Sequence, residues 1–507
     1  MRIDKNTTIR LGDRNIVKIK IGDSVIWQKS TEPEPVGPDY FYIESLGDGN
    51  TVSVINKGNG NTDNVTPTLE YSTDKNTWNT ITFDWASGTH TTELPVKLNT
   101  GGKMYFRNDT RLFSNSSSKY ISFSSTVSSN VGGDIRTLSN YINVDNETKP
   151  QSYMFYYLFK DNKYIVNASN LRLSYTTLAN YCYSYMFQKC TSLTTAPELP
   201  ATTLANYCYS FMFQGCTSLT TAPTLPATTL APYCYQSIFN GCTSLTTAPT
   251  LPATTLANYC YNMMFYGCTS LTDAPALPAT TLSSNCYSYM FQNCTSLTTA
   301  PALPATKLKE YCYGYMFYGC TSLTDAPALP ATTLSSNCYS YMFYKCTSLT
   351  TAPTLLATTL ANKCYQYMFR GCTSLTTAPT LPTTTLKNNC YEGMFQGCTK
   401  LTTAPELPAT TLTPNCYQYM FYGCTSLTDA PTLPATTLAN YCYSIMFKDC
   451  TSLNNVTVYA DDISATSCTT NWLSGVASTG TFRNLGSATY ATDSPSGIPS
   501  GWTEVKN

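Results

Sequence analysis

Residues 208–233 read CYSFMFQGCTSLTTAPTLPATTLAPY, and at residue 234 the same string begins again with small changes. A first series of cysteines runs from Cys182 to Cys468 in steps of 26 residues, and a second runs from Cys190 to Cys450, each member eight residues after one of the first. The two series account for all 23 cysteines of the 507-residue chain. A strict period in the 20–50 residue range marks a solenoid, in which each unit buries its apolar side against its neighbours.

The unit divides in two. Cys208, Met212 and Cys216 are spaced i, i+4, i+8, with Tyr209 and Phe213 offset by one, which predicts a short helix packed inward. The residue before the phenylalanine is Met in ten of eleven units, Ile238 being the exception. In the second half, Pro223 and Pro226 cannot donate to a ladder, so one short parallel strand is expected near Thr220 to Ala222. One short strand plus one short helix per unit is a leucine-rich-repeat-like construction.

The string M-F-x-G-C-T-S-L-T-x-A-P-x-L-P resembles the cysteine-containing leucine-rich repeats of BspA-like surface proteins, of the kind carried by gut Bacteroidales and their phages. Residues 149–459 then form the solenoid, a degenerate first unit followed by eleven of 26 residues. In that first unit Asn162 and Asn170 stand where the array has cysteine or proline. Residues 460–507 keep Cys468, lose the period and read as a C-terminal cap. The strings WLSGVASTGTF and SGIPSGWT are similar to the ends of the same family.

Upstream lie smaller pieces. Residues 1–30 alternate around two Gly-Asp pairs, with Val17, Ile19, Ile21, Val25 and Trp27 as an apolar set. So short a β-meander is marginal alone and is expected to dock on something. The segment VKIKIGDSVIWQK is similar to N-terminal segments of phage structural proteins. Residues 31–39 are a proline-rich linker, and residues 40–148 read as an all-β immunoglobulin-like sandwich.

Composition narrows the function. Thirty basic and 30 acidic residues give no net charge, and only 12% of residues are charged. No basic stripe for nucleic acid can be drawn from that balance, and binding should depend weakly on salt. A single histidine, His90, excludes histidine-pair chemistry. No apolar run of leader or membrane-spanning length occurs, so synthesis in a reducing cytosol is expected. The seven-residue gap between cysteines fits no common zinc spacing and their odd total forbids complete pairing. They read as two columns of buried thiols, and no cofactor or metal is expected. Asp273, Asp325 and Asp429 share one position of the unit, but nothing around them would raise one carboxyl for acid catalysis, and they read as solvated.

Tyrosine is the excess residue, 40 in all. Tyr209 and its equivalents follow the first cysteine of each unit and read as packed ladders with the hydroxyl at the edge. Two other positions vary. One carries Tyr266, Tyr318, Tyr344 and Tyr422, and the other, three residues earlier, carries Tyr185, Tyr289, Tyr315, Tyr341, Tyr367 and Tyr419. On a helix they lie side by side on the outer face. They stand either as a ligand-binding stripe for glycan or protein or as cover between neighbouring helices.

The expectation is a non-enzymatic phage virion protein, of tail-fibre or head-fibre type. It docks on other virion proteins through residues 1–30 and displays the solenoid on the particle surface to a bacterial glycan or protein. A bacterial cell-surface adhesin is the alternative and a purely structural virion component the third reading. Neither nucleic acid nor membrane insertion is expected, and self-association is left open.

Overall fold

The computed structural model describes residues 9–11, 14–16, 18–21, 24–28 and 39–506, except 59, 61–67, 84, 110–113 and 115. It divides into two units, residues 1–39 and Tyr40–Asn507.

In the first unit β1 (Ile9–Leu11) pairs antiparallel with β2 (Arg14–Ile16), and β3 (Lys18–Ile21) with β4 (Ser24–Gln28). The two ladders flank residues 12–13 and 22–23, where the Gly-Asp pairs stand. Ile19 lies opposite Trp27 and Ile21 opposite Ser24. Val25 lies on β4, while Val17 falls outside the described residues.

The second unit opens with β5 (Phe41–Ser45), β6 (Val52–Gly58), β7 (Thr68–Ser72), β8 (Asn79–Thr82), β9 (Gly88–Glu93), β10 (Lys103–Arg107), β11 (Tyr120–Ser125) and β12 (Ser129–Asp134). The smaller sheet has the order β11-β6-β9. The larger runs β12-β5-β10-β7-β8 and is extended at β12 by β13 (Ile165–Arg172), which comes from the first repeat unit. Every pairing here is antiparallel except β12 with β13. Alternate residues point inward, so Phe41, Ile43, Met104 and Phe106 of one sheet meet Val52, Val54, Ile121 and Phe123 of the other, all fully buried. Among the described residues the α-helix is confined to one turn, Thr137–Asn140, followed by a 3-10 segment at Tyr141–Asn146.

The repeat units contain no helix among the described residues, which corrects the helical reading of CYSFMFQGC. Tyr181, Tyr185 and Lys189 all have φ of 58°, and the same columns recur coil after coil. A left-handed residue at every fourth position is incompatible with an α-helix of L-residues. The segment is instead a run of tight turns. Ser184, Met186, Gln188 and Cys190 donate their N–H to the carbonyls of Tyr181, Tyr183, Tyr185 and Phe187, at 3.0–3.2 Å. The N–H groups between them, of Tyr183, Tyr185, Phe187 and Lys189, donate to Cys208, Ser210, Met212 and Gln214 of the next coil at 2.7–3.0 Å. Half the donors close turns and half tie coils together, so the backbone is satisfied without either regular structure. The helical reading failed because i, i+4, i+8 is common to a helix and to a turn of period four.

The expected single strand is corrected too. Parallel pairing is reduced to one-residue bridges, in one column through Thr195, Thr221 and Thr247, a second through Thr229, Thr255 and Thr281, and a sparser third that joins Leu329 to Leu355 and Leu433 to Val458. The prolines between them keep each column from lengthening.

Inside, each coil adds one layer. Cys208, Tyr209, Met212, Phe213, Cys216 and Leu219 are all fully buried, and so are their equivalents. Each second-series thiol donates to a phenylalanine carbonyl of the preceding coil, for example Cys216 Sγ to Phe187 O at 3.1 Å. At the start of the array Asn162 takes that thiol's place and donates its Nδ2 to Phe123 O at 3.2 Å. Phe123 belongs to β11, donates its own N–H to Leu158 O at 2.8 Å, and lies 6.2 Å from the Phe159 ring. The sandwich therefore supplies the coil that would precede the first one, and the apolar core runs through both. At the other end β14 (Asn455–Val458), β15 (Gly480–Asn484) and β16 (Trp502–Lys506) form a parallel sheet. There Trp472 stands at the methionine position, fully buried, with Nε1 donating to Gly497 O at 2.9 Å.

Candidate functional site

Because the left-handed positions recur every four residues, they share one side of the stack and set its outer face. All ten tyrosines of the predicted stripe lie on that face, and all are half-buried. The three-residue offset brings its two columns together without a helix, since the turn closes between residues i and i+3. Ring centroids are 6.4 Å apart for Tyr315 and Tyr318, and 5.8 Å for Tyr341 and Tyr344.

Along the stack the rings meet face to face. Tyr289, Tyr315 and Tyr341 lie 4.4 and 4.5 Å apart, and Tyr318 and Tyr344 4.5 Å apart. Tyr185 stacks on Phe211 at 4.6 Å. Tyr266 and Tyr419 have no ring neighbour among the described residues, because the adjacent coils carry Asn240, Gln292, Gly393 and Ile445 in their columns. Burial against these neighbours pushes the phenols of Tyr185 and Tyr341 up to about 12.

The regular ladder breaks at one place. Tyr367 tilts by 35° from Tyr341, and its ring covers Gly393, where a Cβ would collide with it. Its hydroxyl donates to Glu392 Oε1 at 2.7 Å, and Gln366 Nε2 donates to Glu392 Oε2 at 2.8 Å. Beside this break the next column passes from Tyr344 to Arg370, Gln396 and Tyr422. The Arg370 guanidinium lies 5.3 Å from both the Tyr344 and Tyr367 rings. Gly371, Gly397 and Gly423 follow one another in the neighbouring left-handed column, with φ of 72–75°. Lacking side chains, they leave an open groove of about 540 Å³, with Tyr344 and Lys345 at one end and Tyr422 and Asp449 at the other.

Arg370, Lys345 and the glycine column were not singled out from the sequence. The signal was present: glycine at the same interior position of the supposed helix in seven of eleven units, and an arginine in a mostly aromatic or amide column.

The other candidates are placed as follows. All 23 cysteines are buried and unpaired. No group of three or more His, Cys, Asp or Glu side chains among the described residues could hold a metal. Asp273, Asp325 and Asp429 are exposed, each accepting from the threonine before it at 2.8–2.9 Å. His90 lies on β9 opposite Asn56. The packed tyrosines Tyr183 to Tyr443 stack at 5.6–6.2 Å as expected. Their hydroxyls do not all reach the edge, however: those of Tyr183, Tyr209, Tyr235, Tyr313 and Tyr339 are buried without a partner.

A stack of 26-residue leucine-bearing coils with an irregular outer turn is a leucine-rich-repeat architecture. The family model described as "BspA type Leucine rich repeat region (6 copies)" matches residues 180–314, 233–375, 286–404 and 338–468, and the chain belongs to that family. No curated protein matches the chain. One solved structure, titled "Crystal structure of TLR13-ssRNA13 complex", is 13% identical with a TM-score of 0.24, which is too low to carry an argument. The alignment covers 66% of this chain and 52% of that one, so the chain spans about half the length of that protein. Proteins with BspA-type repeats are usually found at cell surfaces, and leucine-rich repeats typically bind partners. No helix among the described residues is long and apolar enough to cross a membrane.

Proposed function

We propose that the chain is a non-enzymatic recognition protein that uses the tyrosine-bearing turn face of its repeat array to bind a bacterial surface glycan or protein. The observation that carries this reading is the stacked, half-buried tyrosine columns beside the Tyr344–Tyr422 groove. Rings held by their neighbours lose little entropy on binding and offer an apolar edge and a hydroxyl. The coils repeat the same positions along the array, which suits an extended ligand better than a deep catalytic pocket.

In this reading residues 1–30 dock the chain on a phage particle, supported by their resemblance to phage structural segments, and residues 40–148 act as an immunoglobulin-like spacer and cap. The second reading is a bacterial cell-surface adhesin using the same face, and membership of the BspA-type family favours it. The test is to label intact gut Bacteroidales cells with the fluorescent whole chain. Saturable labelling that is lost on substituting Tyr318, Tyr344 and Tyr422 by Ala supports recognition through this face. Labelling of no strain in a broad panel, or labelling indifferent to the triple substitution, refutes it.

A further inference from the structure

The geometry points to a carboxylate-bearing polysaccharide as the ligand of the Tyr344–Tyr422 groove, with Arg370 reading the acidic group. This rests on the proposed recognition role of the turn face and narrows it to one ligand class and one place.

Three observations converge. First, Arg370 is held by two tyrosine rings, yet its guanidinium makes no hydrogen bond and no ion pair with the described residues. A planar fork fixed in place with its N–H donors unspent is suited to a carboxylate, which it can grip through two parallel bonds. Lys345, 5.5 Å from the same Tyr344 ring, adds a second cation that forms no ion pair with the described residues at that end. In a chain with only 12% charged residues, two unpaired cations at one groove end are a local departure. At the opposite end the charges of Asp449 and of Lys448, whose Nζ lies 5.9 Å from the Tyr422 ring, offset each other, so the net positive charge of the groove sits at the Arg370 end.

Second, the rims are aromatic. Tyr344 and Tyr422 are three coils apart, roughly 14 Å at the ~4.8 Å spacing of neighbouring strands. One coil is close to the length of one sugar residue in an extended polysaccharide, so a chain laid along the groove can meet the ring edges and hydroxyls of Tyr344 and Tyr422 while a carboxylate between them meets Arg370. Gln396, also in the groove wall, supplies an amide for ring hydroxyls.

Third, the floor is backbone. The N–H groups of Gly371, Gly397 and Gly423 are spent on the next coil at 2.7–2.8 Å. They offer no competing donors, only room for a flat chain to approach.

The test uses the whole chain and three acidic probes, oligogalacturonate, oligoalginate and a sialylated oligosaccharide. Methyl-esterified oligogalacturonate is the neutral control, and binding is measured by isothermal titration calorimetry. The expected result is binding of at least one acidic probe, at least tenfold weaker for the neutral ester where that is the counterpart. Binding should fall at least tenfold in Arg370→Gln, recover in part in Arg370→Lys, fall in Tyr422→Ala and stay unchanged in Asp273→Asn, an exposed position of the bridge column and not of the turn face. Circular dichroism checks that each variant is folded. No binding of any acidic probe, equal binding of acid and ester, or indifference to Arg370→Gln overturns the inference. Cell labelling separates the two levels. If Arg370→Gln labels cells like the parent while the triple tyrosine variant does not, the acidic ligand is wrong and the face is right. If neither variant loses labelling, the recognition reading falls as well.

Discussion

Raising the pH should unfold the array cooperatively well below the ionisation range of its buried thiols. Burial pushes Cys208, Cys242, Cys260, Cys294, Cys312, Cys390, Cys442 and Cys450 up from 9.0 to about 12. The folded state therefore keeps protons that the unfolded chain releases above pH 9, and stability falls as pH rises from 9 towards 12. The contribution is complete below pH 9. At pH 10 each such thiol has lost between about 1 and 2 kcal/mol, and the eight together on the order of 10 kcal/mol, comparable to the whole net stability of an ordinary domain. The remaining buried thiols act in the same direction, because desolvation heads the causes for each. The assay is far-ultraviolet circular dichroism against pH with thiolate absorbance at 240 nm on the same sample. The expected result is a steep loss of structure at about pH 10 with thiolate appearing in the same step. Thiolate appearing near pH 9 while the fold persists, or a fold intact at pH 11.5 with thiolates formed, would refute the reasoning.

The remaining expectations follow from the same layers. Tyr235→Phe removes a buried hydroxyl that has no partner among the described residues, so it should be neutral or stabilise by about 1 kcal/mol in guanidinium denaturation, whereas a loss above that would reveal a hidden partner. Trp472→Ala empties a fully buried site in the C-terminal cap and should cost about 3–5 kcal/mol, read as an earlier unfolding transition. Gly397→Val puts a β-branched residue at φ 72° and should destabilise by about 1–3 kcal/mol, with Gly397→Asn markedly milder. A fragment beginning at residue 149 loses Phe123 from above Phe159 and leaves the outer edge of β13 unpaired. It should aggregate or melt earlier than the whole chain on gel filtration and thermal scans, and a monomer of unchanged Tm would contradict the shared core.

How much of this was legible depends on the residue. The two cysteine columns, the inward Met and Phe, the restraint imposed by Pro223 and Pro226, and the adjacency of the Tyr315 and Tyr318 columns could all be read from spacing. The turn conformation could not be read from Cys208, Met212 and Cys216, because the spacing of apolar residues reports which side is buried and not the sign of φ. Gly215, Gly241 and Gly267 recur where a helix would disfavour them, and Asn285, Asn337 and Asn389 do so four residues before the outer tyrosine column. That was the available clue.

By itself the sequence determined the period and the inward set, because identical units can be satisfied only by stacking on one another. Tertiary structure alone decided that Asn162 reaches Phe123, joining the sandwich to the first coil across 39 residues of chain. It also decided that Arg370 meets Tyr344 and Tyr367 beside a floor of glycines from three successive coils. Both depend on which residues neighbouring coils bring into register, and that is fixed by inter-coil hydrogen bonds spanning 25 residues, a relation that no local stretch of chain expresses.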